Sequence, residues 1–316
     1  MFRNSIVFTA IGISLAACGG GGGGGGSTEP DVVEITALNI GSTSGVAAQT
    51  GLPFADGTAQ SIPANTPLTI RLARFETDHA SGQTRLIVST ETYTKAAGSN
   101  LLNADVEIEG ATVTLVYDSA EDESFGSLSN GQELGAYINA SGQFVSLINV
   151  FTYEDPPDDG FDSEGTFAAG FETDPSSLPT FAGTTDYTGT LLGFANVVDQ
   201  NGNLIEQEVL LTGDAAIAVR FADGRVGGSV DTQATGLALT YLDDVLVLTE
   251  TDIAGNGFST DASTLQNCGG CTSESLVGGA FFGANAEELG GILALDVTNA
   301  AGTQQVIGVG GFIAER

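Results

Sequence analysis

The run Gly278–Arg316, GGAFFGANAEELGGILALDVTNAAGTQQVIGVGGFIAER, decides how the chain folds. Its apolar residues come in short blocks, its glycines stand where backbones would approach closely, and one turn-like break interrupts it at Asn299-Ala300-Ala301-Gly302. No apolar set keeps the i, i+3, i+4, i+7 spacing of an amphipathic helix. Short apolar blocks separated by turns, with glycines at the crowded points, predict the last strands of a closed antiparallel barrel.

Upstream, the same grammar repeats. Thr184–Phe194 and Asn203–Leu211 are expected strands, the second preceded by the turn pair Asn201-Gly202. Ile217, Val219 and Phe221 alternate before Asp223-Gly224, a pair suited to a tight turn, and Arg225–Val230 follows. Leu237, Leu239 and Tyr241 alternate next, with Val245–Leu248 beyond a turn expected at Asp243-Asp244. Eight to nine short strands suit one small barrel or sandwich, and closure removes exposed apolar edges.

The N-terminal half is also β-rich. Leu68, Ile70 and Leu72 alternate with polar neighbours, and Arg85–Tyr93 follows across Asp78–Gly82. Val106–Ile108 and Val113–Tyr117 flank Glu109-Gly110, while Ala136–Ile138 and Phe144–Phe151 flank Asn139–Gly142; each pair is an expected hairpin. Tyr153–Thr180 holds four of the eight prolines and a cluster of acids. Because proline removes a ladder donor, that stretch is expected to be a boundary or a long surface loop.

Residues 1–17 have the layout of an export signal: Arg3, then an apolar core from Ile6 to Leu15, then small residues. That core is too short to span a bilayer as a mature helix. Leu15-Ala16-Ala17-Cys18 resembles the bacterial lipobox, which makes Cys18 the lipidated residue and predicts anchoring by several acyl chains. Gly19, not Asp, follows it, which by resemblance to Gram-negative lipoprotein sorting favours the outer membrane. Gly19–Gly26 is an unbroken glycine run; with its high backbone entropy it is a flexible tether reaching to Pro30.

Eight basic residues face 40 acidic ones, a formal charge of −32. Nucleic-acid binding needs Lys and Arg at the phosphates and is excluded by that balance. The acidity favours solubility and basic partner surfaces, as a salt-dependent effect.

Three stretches resemble the transferrin-binding protein B-like barrel family: Phe181–Gly189 (FAGTTDYTG), Phe221–Ser229 (FADGRVGGS), and above all Gly278–Gly291 (GGAFFGANAEELGG). The last is similar to that family's G-x-FFG-x-x-A-x-E-L-G-G signature. The ending Val309–Arg316 departs from the family's usual FGA-K-R close. The resemblance implies an all-β fold: a β-rich handle domain over residues 31–178, then an eight-stranded antiparallel β-barrel over residues 179–316. It also implies a single-lobe surface lipoprotein on the outer membrane, carried outward by a Slam-type translocon. Such a protein binds a protein, a haemoprotein, or an iron- or haem-bearing cargo, for a TonB-dependent receptor. The resemblance transfers no ligand, because partner contacts in that family lie in variable loops.

The residues that could carry chemistry are few. Cys268-Gly269-Gly270-Cys271 in an exported chain points to a local disulfide, since no strand-to-helix setting suits a redox pair and two thiols are too few for structural zinc. His79, the single histidine, sits in a DHASG turn where an exposed side chain is ordinary; it and Tyr153 are weak candidate haem or metal ligands, with Tyr137 and Tyr187 unranked beside them. Asp155, Asp158, Asp159, Asp162 and Glu164 supply oxygens for Ca²⁺ but lack EF-hand spacing, so a solvated acidic turn is the simpler reading. No nucleophile–base set emerges, and an enzyme is not expected. The expected function is ligand capture at the cell surface; the alternative is an envelope-coat lipoprotein with no specific cargo.

Overall fold

The computed structural model describes residue 65 and residues 67–78, 83–97, 102–108, 110–120, 123–127, 133–153 and 161–316. Cys18, the export signal, the glycine tether, His79, Asp155, Asp158 and Asp159 lie outside the described residues. What is described is all β, apart from two single 3-10 turns.

The first eight strands are β1 (Pro67–Asp78), β2 (Gln83–Lys95), β3 (Ala104–Ile108), β4 (Ala111–Asp118), β5 (Glu123–Ser127), β6 (Glu133–Ser141), β7 (Val145–Tyr153) and β8 (Phe161–Gly170). Each pairs antiparallel with the next, and β8 returns to β1 with Phe75 opposite Glu164, closing an up-and-down barrel. Alternation decides which way the side chains point. Ile70, Leu72, Val106, Val113, Ile148, Val150 and Phe167 fill the interior. The β-rich handle expected from the sequence is therefore itself a closed barrel.

Strand β8 falls inside the acidic, proline-containing stretch expected to be loop. Its apolar residues explain this: Phe167 and Ala169 are buried in the interior, and only a strand closes the ladder between β7 and β1. The passage between the barrels shrinks to residues 171–184, where Asp174 caps a 3-10 turn by accepting from the Ser176 amide at 2.8 Å.

The second unit holds β9 (Thr185–Asp199), β10 (Leu204–Arg220), β11 (Arg225–Thr235), β12 (Thr240–Asp252), β13 (Gly257–Asp261), β14 (Thr264–Leu265), β15 (Thr272–Ser273), β16 (Leu276–Phe282), β17 (Glu288–Thr298) and β18 (Gln304–Glu315). Eight of these are substantial, and their order β13-β16-β17-β18-β9-β10-β11-β12 curls into a barrel. Strands β12 and β13 meet at its seam without a ladder, and the Thr260 hydroxyl donates across it to the Thr249 carbonyl. The two short strands extend the edges: β14 pairs β12 and β15 pairs β17.

Two sequence expectations change here. The strands expected at 203–211 and 217–221 are one, β10, because Gly213 lets the chain run on: a Cβ there would meet the Asp231 carbonyl oxygen at 1.9 Å. The turn is not at Asp243-Asp244, which lie within β12; it is at Gly236–Leu239. The Asp244 carboxylate is buried and accepts from the Val245 and Asn267 amides at 2.7 and 2.8 Å, so a pair that reads as a turn is held inside the strand.

The two barrels pack side against side. Ala73, Phe75, Ile87 and Val145 of the first meet Ala280, Phe282, Ile292, Ala294 and Val309 of the second in one apolar layer. Gly290 and Gly311 set how close the walls come: a Cβ on Gly290 would lie 2.9 Å from Val145 Cγ2, and one on Gly311 2.9 Å from Leu147 Cδ1. At one end of this layer Glu288 is buried, and its carboxylate accepts the amides of Gln143, Phe144 (2.8 Å) and Val145 (3.1 Å). Nearer the other end Tyr137 and Asn149 donate to Glu164 Oε1, at 2.9 and 3.0 Å.

Candidate functional site

Strand direction brings three connections of the second barrel to one end: β9 to β10, β11 to β12, and β17 to β18. The excursion of residues 262–275, which carries β14 and β15, crosses the same end on its way from β13 to β16. Together they form a mouth.

The mouth holds a cavity of about 210 Å³. Buried Val197, Leu242, Val297 and Val306 line its depth, and Asp243, Asn299, Ala300 and Gln304 line its rim. Cys268 and Cys271 form one wall, joined by a disulfide with their Cα atoms 5.5 Å apart. The bridge closes a tight loop whose Gly270 faces Ala300 of the neighbouring connection.

Beside the cavity the β11–β12 tip projects. Leu237 is 102% exposed and Leu239 61%, so the alternation that reads as a buried strand face belongs instead to a hairpin tip. The tip is braced. Register shifts on both sides of Glu206 mark bulges that re-aim its side chain. Glu206 Oε1 accepts the Leu237 amide at 2.7 Å, its other oxygen accepts the Tyr241 hydroxyl, and the Gly236 amide donates to the Leu239 carbonyl at 2.8 Å. The bond to Glu206 holds the Tyr241 hydroxyl above its ordinary pKa. Glycine at 236 leaves room for this brace, since a Cβ there would fall 2.2 Å from Glu206 Oε1 and push the carboxylate aside.

The rim is negative. Asp199 closes the β9–β10 turn by accepting from the Asn201 and Asn203 amides at 2.8 and 2.9 Å; the Asn203 side chain, with those amides, holds its carboxyl down to about 2. Asp243 is exposed, Glu206 is half-buried, and no residue lining the cavity is basic.

The expected site residues are scattered relative to this mouth. Tyr153 ends β7 and Asp162 is the second residue of β8, so Asp162 belongs to a strand and not to a loop. Of the five candidate Ca²⁺ ligands, Glu164 is the one whose side chain is described. It is 3% exposed, lies in the layer between the barrels, and gives Oε1 to Tyr137 and Asn149. Burial, offset in part by those two donors and reinforced by the charge of Glu208, pushes its carboxyl up to about 8. A carboxyl so placed is no solvated acidic turn. Tyr137 is committed to this layer, and Tyr187 donates to the Ala286 carbonyl inside the second barrel. Among the described residues no group of three or more His, Cys, Asp or Glu could hold a metal ion, and no helix is long and apolar enough to cross a membrane.

The sequence hid the mouth. Leu237, Leu239 and Glu206 carry no motif, and the one available signal was Gly236, which marks the true turn.

Residues 178–316 match the family described as the C-lobe and N-lobe beta barrels of Tf-binding protein B. Among solved structures, a transferrin-binding protein B double mutant from Haemophilus parasuis Hp5 is similar at 17% identity and TM-score 0.44, over 79% of this chain and 46% of that one. Isotype 1 transferrin-binding protein B from serogroup B Neisseria meningitidis is similar at 15% identity and TM-score 0.31, over 83% of this chain and 67% of that one. The chain thus spans about half the length of the Haemophilus parasuis protein it matches. No curated protein matches. The matched residues take in the whole second barrel, so that unit is similar to the Tf-binding protein B lobe barrels, and the described chain is built of two β-barrel units.

Proposed function

We propose that this protein is an outer-membrane lipoprotein, anchored through Cys18, that binds a protein ligand at the cell surface and is not an enzyme. The observation that carries the reading is the second barrel, matched to the Tf-binding protein B lobe barrels along residues 178–316. The lipobox-like Leu15–Cys18 and the glycine run behind it support an anchored body standing off the membrane. In this reading residues 1–17 are removed, residues 18–30 are anchor and tether, and the body presents its loops outward. Its ligand is a protein, which can itself bear iron or haem, and a TonB-dependent receptor receives the cargo. A Slam-type translocon carries the chain out.

Protease treatment of intact cells tests the surface role. Loss of the body from intact cells, with a periplasmic control protected, is the expected result. A body that becomes cleavable only after the outer membrane is opened would refute surface display. Metabolic labelling with palmitate, lost in a Cys18→Ala chain, tests the anchor; retained label would place the lipid elsewhere.

A further inference from the structure

Resting on the binding role proposed above, we propose that the mouth of the second barrel seats one apolar side chain presented between basic residues of the protein ligand. Three observations converge on it. The cavity has an apolar depth (Val197, Leu242, Val297, Val306) and about 210 Å³ of space. Small-molecule sites usually occupy roughly 300–1,000 Å³, so this one takes a side chain and not a cofactor.

Next to it, two leucines stand in water on a tip that is held in place. Single exposed apolar residues need no explanation. Here, however, Leu237 and Leu239 sit on one tip whose backbone is fixed by Glu206 and by the Gly236–Leu239 bond, so little ordering entropy is left to lose on binding. The pre-positioned leucines extend the apolar depth of the cavity outward.

Charge then selects the occupant. Asp199, Glu206 and Asp243 surround the mouth, none of the lining residues is basic, and the whole chain carries −32. An acidic ligand segment would be repelled and a neutral one unassisted. A basic segment is both steered in and fixed in register. The apolar side chain supplies the burial and the flanking cations supply the selection.

The test uses the full chain carrying Cys18→Ala, isotope-labelled, with three capped pentapeptides as probes: Lys-Lys-Leu-Lys-Lys, Lys-Lys-Ser-Lys-Lys and Glu-Glu-Leu-Glu-Glu. The leucine–lysine peptide should give saturable amide shifts confined to residues 236–244 and 299–304. These should be at least fivefold larger than with the serine peptide, absent with the glutamate peptide, and weakened as salt rises about tenfold. Asp243→Asn should weaken binding several-fold, and Leu237→Ser with Leu239→Ser about tenfold, with the remaining spectrum of each variant showing that it is folded. Equal shifts from the leucine and serine peptides, binding of the glutamate peptide, or no saturable shift at the mouth would each overturn the proposal. A protein ligand captured equally well by the parent and by the leucine double variant would overturn the mouth while leaving the binding role intact.

Discussion

Replacing Glu164 by Gln should make the protein more stable, and increasingly so as the pH rises. In the folded chain burial raises this carboxyl from 4.5 to about 8, with Glu208 adding to the rise and the donors Tyr137 and Asn149 opposing it. A folded pKa above the unfolded one means that the native state holds the proton more tightly. The stabilisation tied to that proton is fully present below pH 4.5 and is lost as the pH climbs to about 8. At about 1.4 kcal/mol per pH unit the loss has a ceiling of about 5 kcal/mol. Buried sites respond as though their effective dielectric were near 20, so relaxation returns part of it and about 2–3 kcal/mol is expected at about pH 9. Glutamine keeps the oxygen on which Tyr137 Oη and Asn149 Nδ2 converge, so the hydrogen bonds survive while the charge does not. The assay is denaturant unfolding of wild type and Glu164→Gln side by side from about pH 4.5 to 9. The other acids titrate alike in both chains and cancel in the difference. The curves should meet at the acid end and separate upward. A flat difference, or a variant less stable at high pH, would refute the placement of Glu164 as a buried proton-holding group.

The remaining predictions concern the joint and the mouth. Glu288→Ala leaves the amides of Gln143, Phe144 and Val145 without their acceptor; at about 1.5–3 kcal/mol per hydrogen bond to a charged group, less the relieved burial of the carboxylate, it should cost about 2–4 kcal/mol, read as a fall in Tm. Gly311→Val forces a side chain against Leu147 and Thr166 and should destabilise by about 1–3 kcal/mol, with limited proteolysis cutting first between the barrels. Cys268→Ser with Cys271→Ser opens a loop of sequence separation 3, so loop-closure entropy limits the loss to about 2 kcal/mol; hydrogen exchange should rise at 262–275 and stay unchanged in the first barrel.

Much of the fold can be read in the chain because strand alternation and turn residues are local. The hairpin at 104–118 and the final strands are where the alternation puts them, with Gly110 at positive φ in the turn. What the sequence conceals is set by distant partners. Strand β8 exists because β1 needs a neighbour roughly ninety residues away, and no local signal in an acidic, proline-containing stretch reports that. Glu164 looks like one more solvated acid until the second barrel covers it. Leu237 and Leu239 fail in the opposite sense: alternation promises burial, and Gly236 turns the chain before it happens. The disulfide pair, by contrast, shows itself in its own four residues.

The segment Gly278–Gly291, by which the second barrel resembles its family, has a use that recasts what such a resemblance carries. Phe281 enters the barrel interior, Phe282 the layer between barrels, Glu288 grips the β6–β7 turn, and Gly290 lets the walls touch. These residues are a hinge pin between two bodies, not a glove for a ligand. Substitutions in them loosen the whole molecule, whereas substitutions at the mouth leave the pin untouched. A joint of this kind lets rim residues change without disturbing the seating of one barrel against the other.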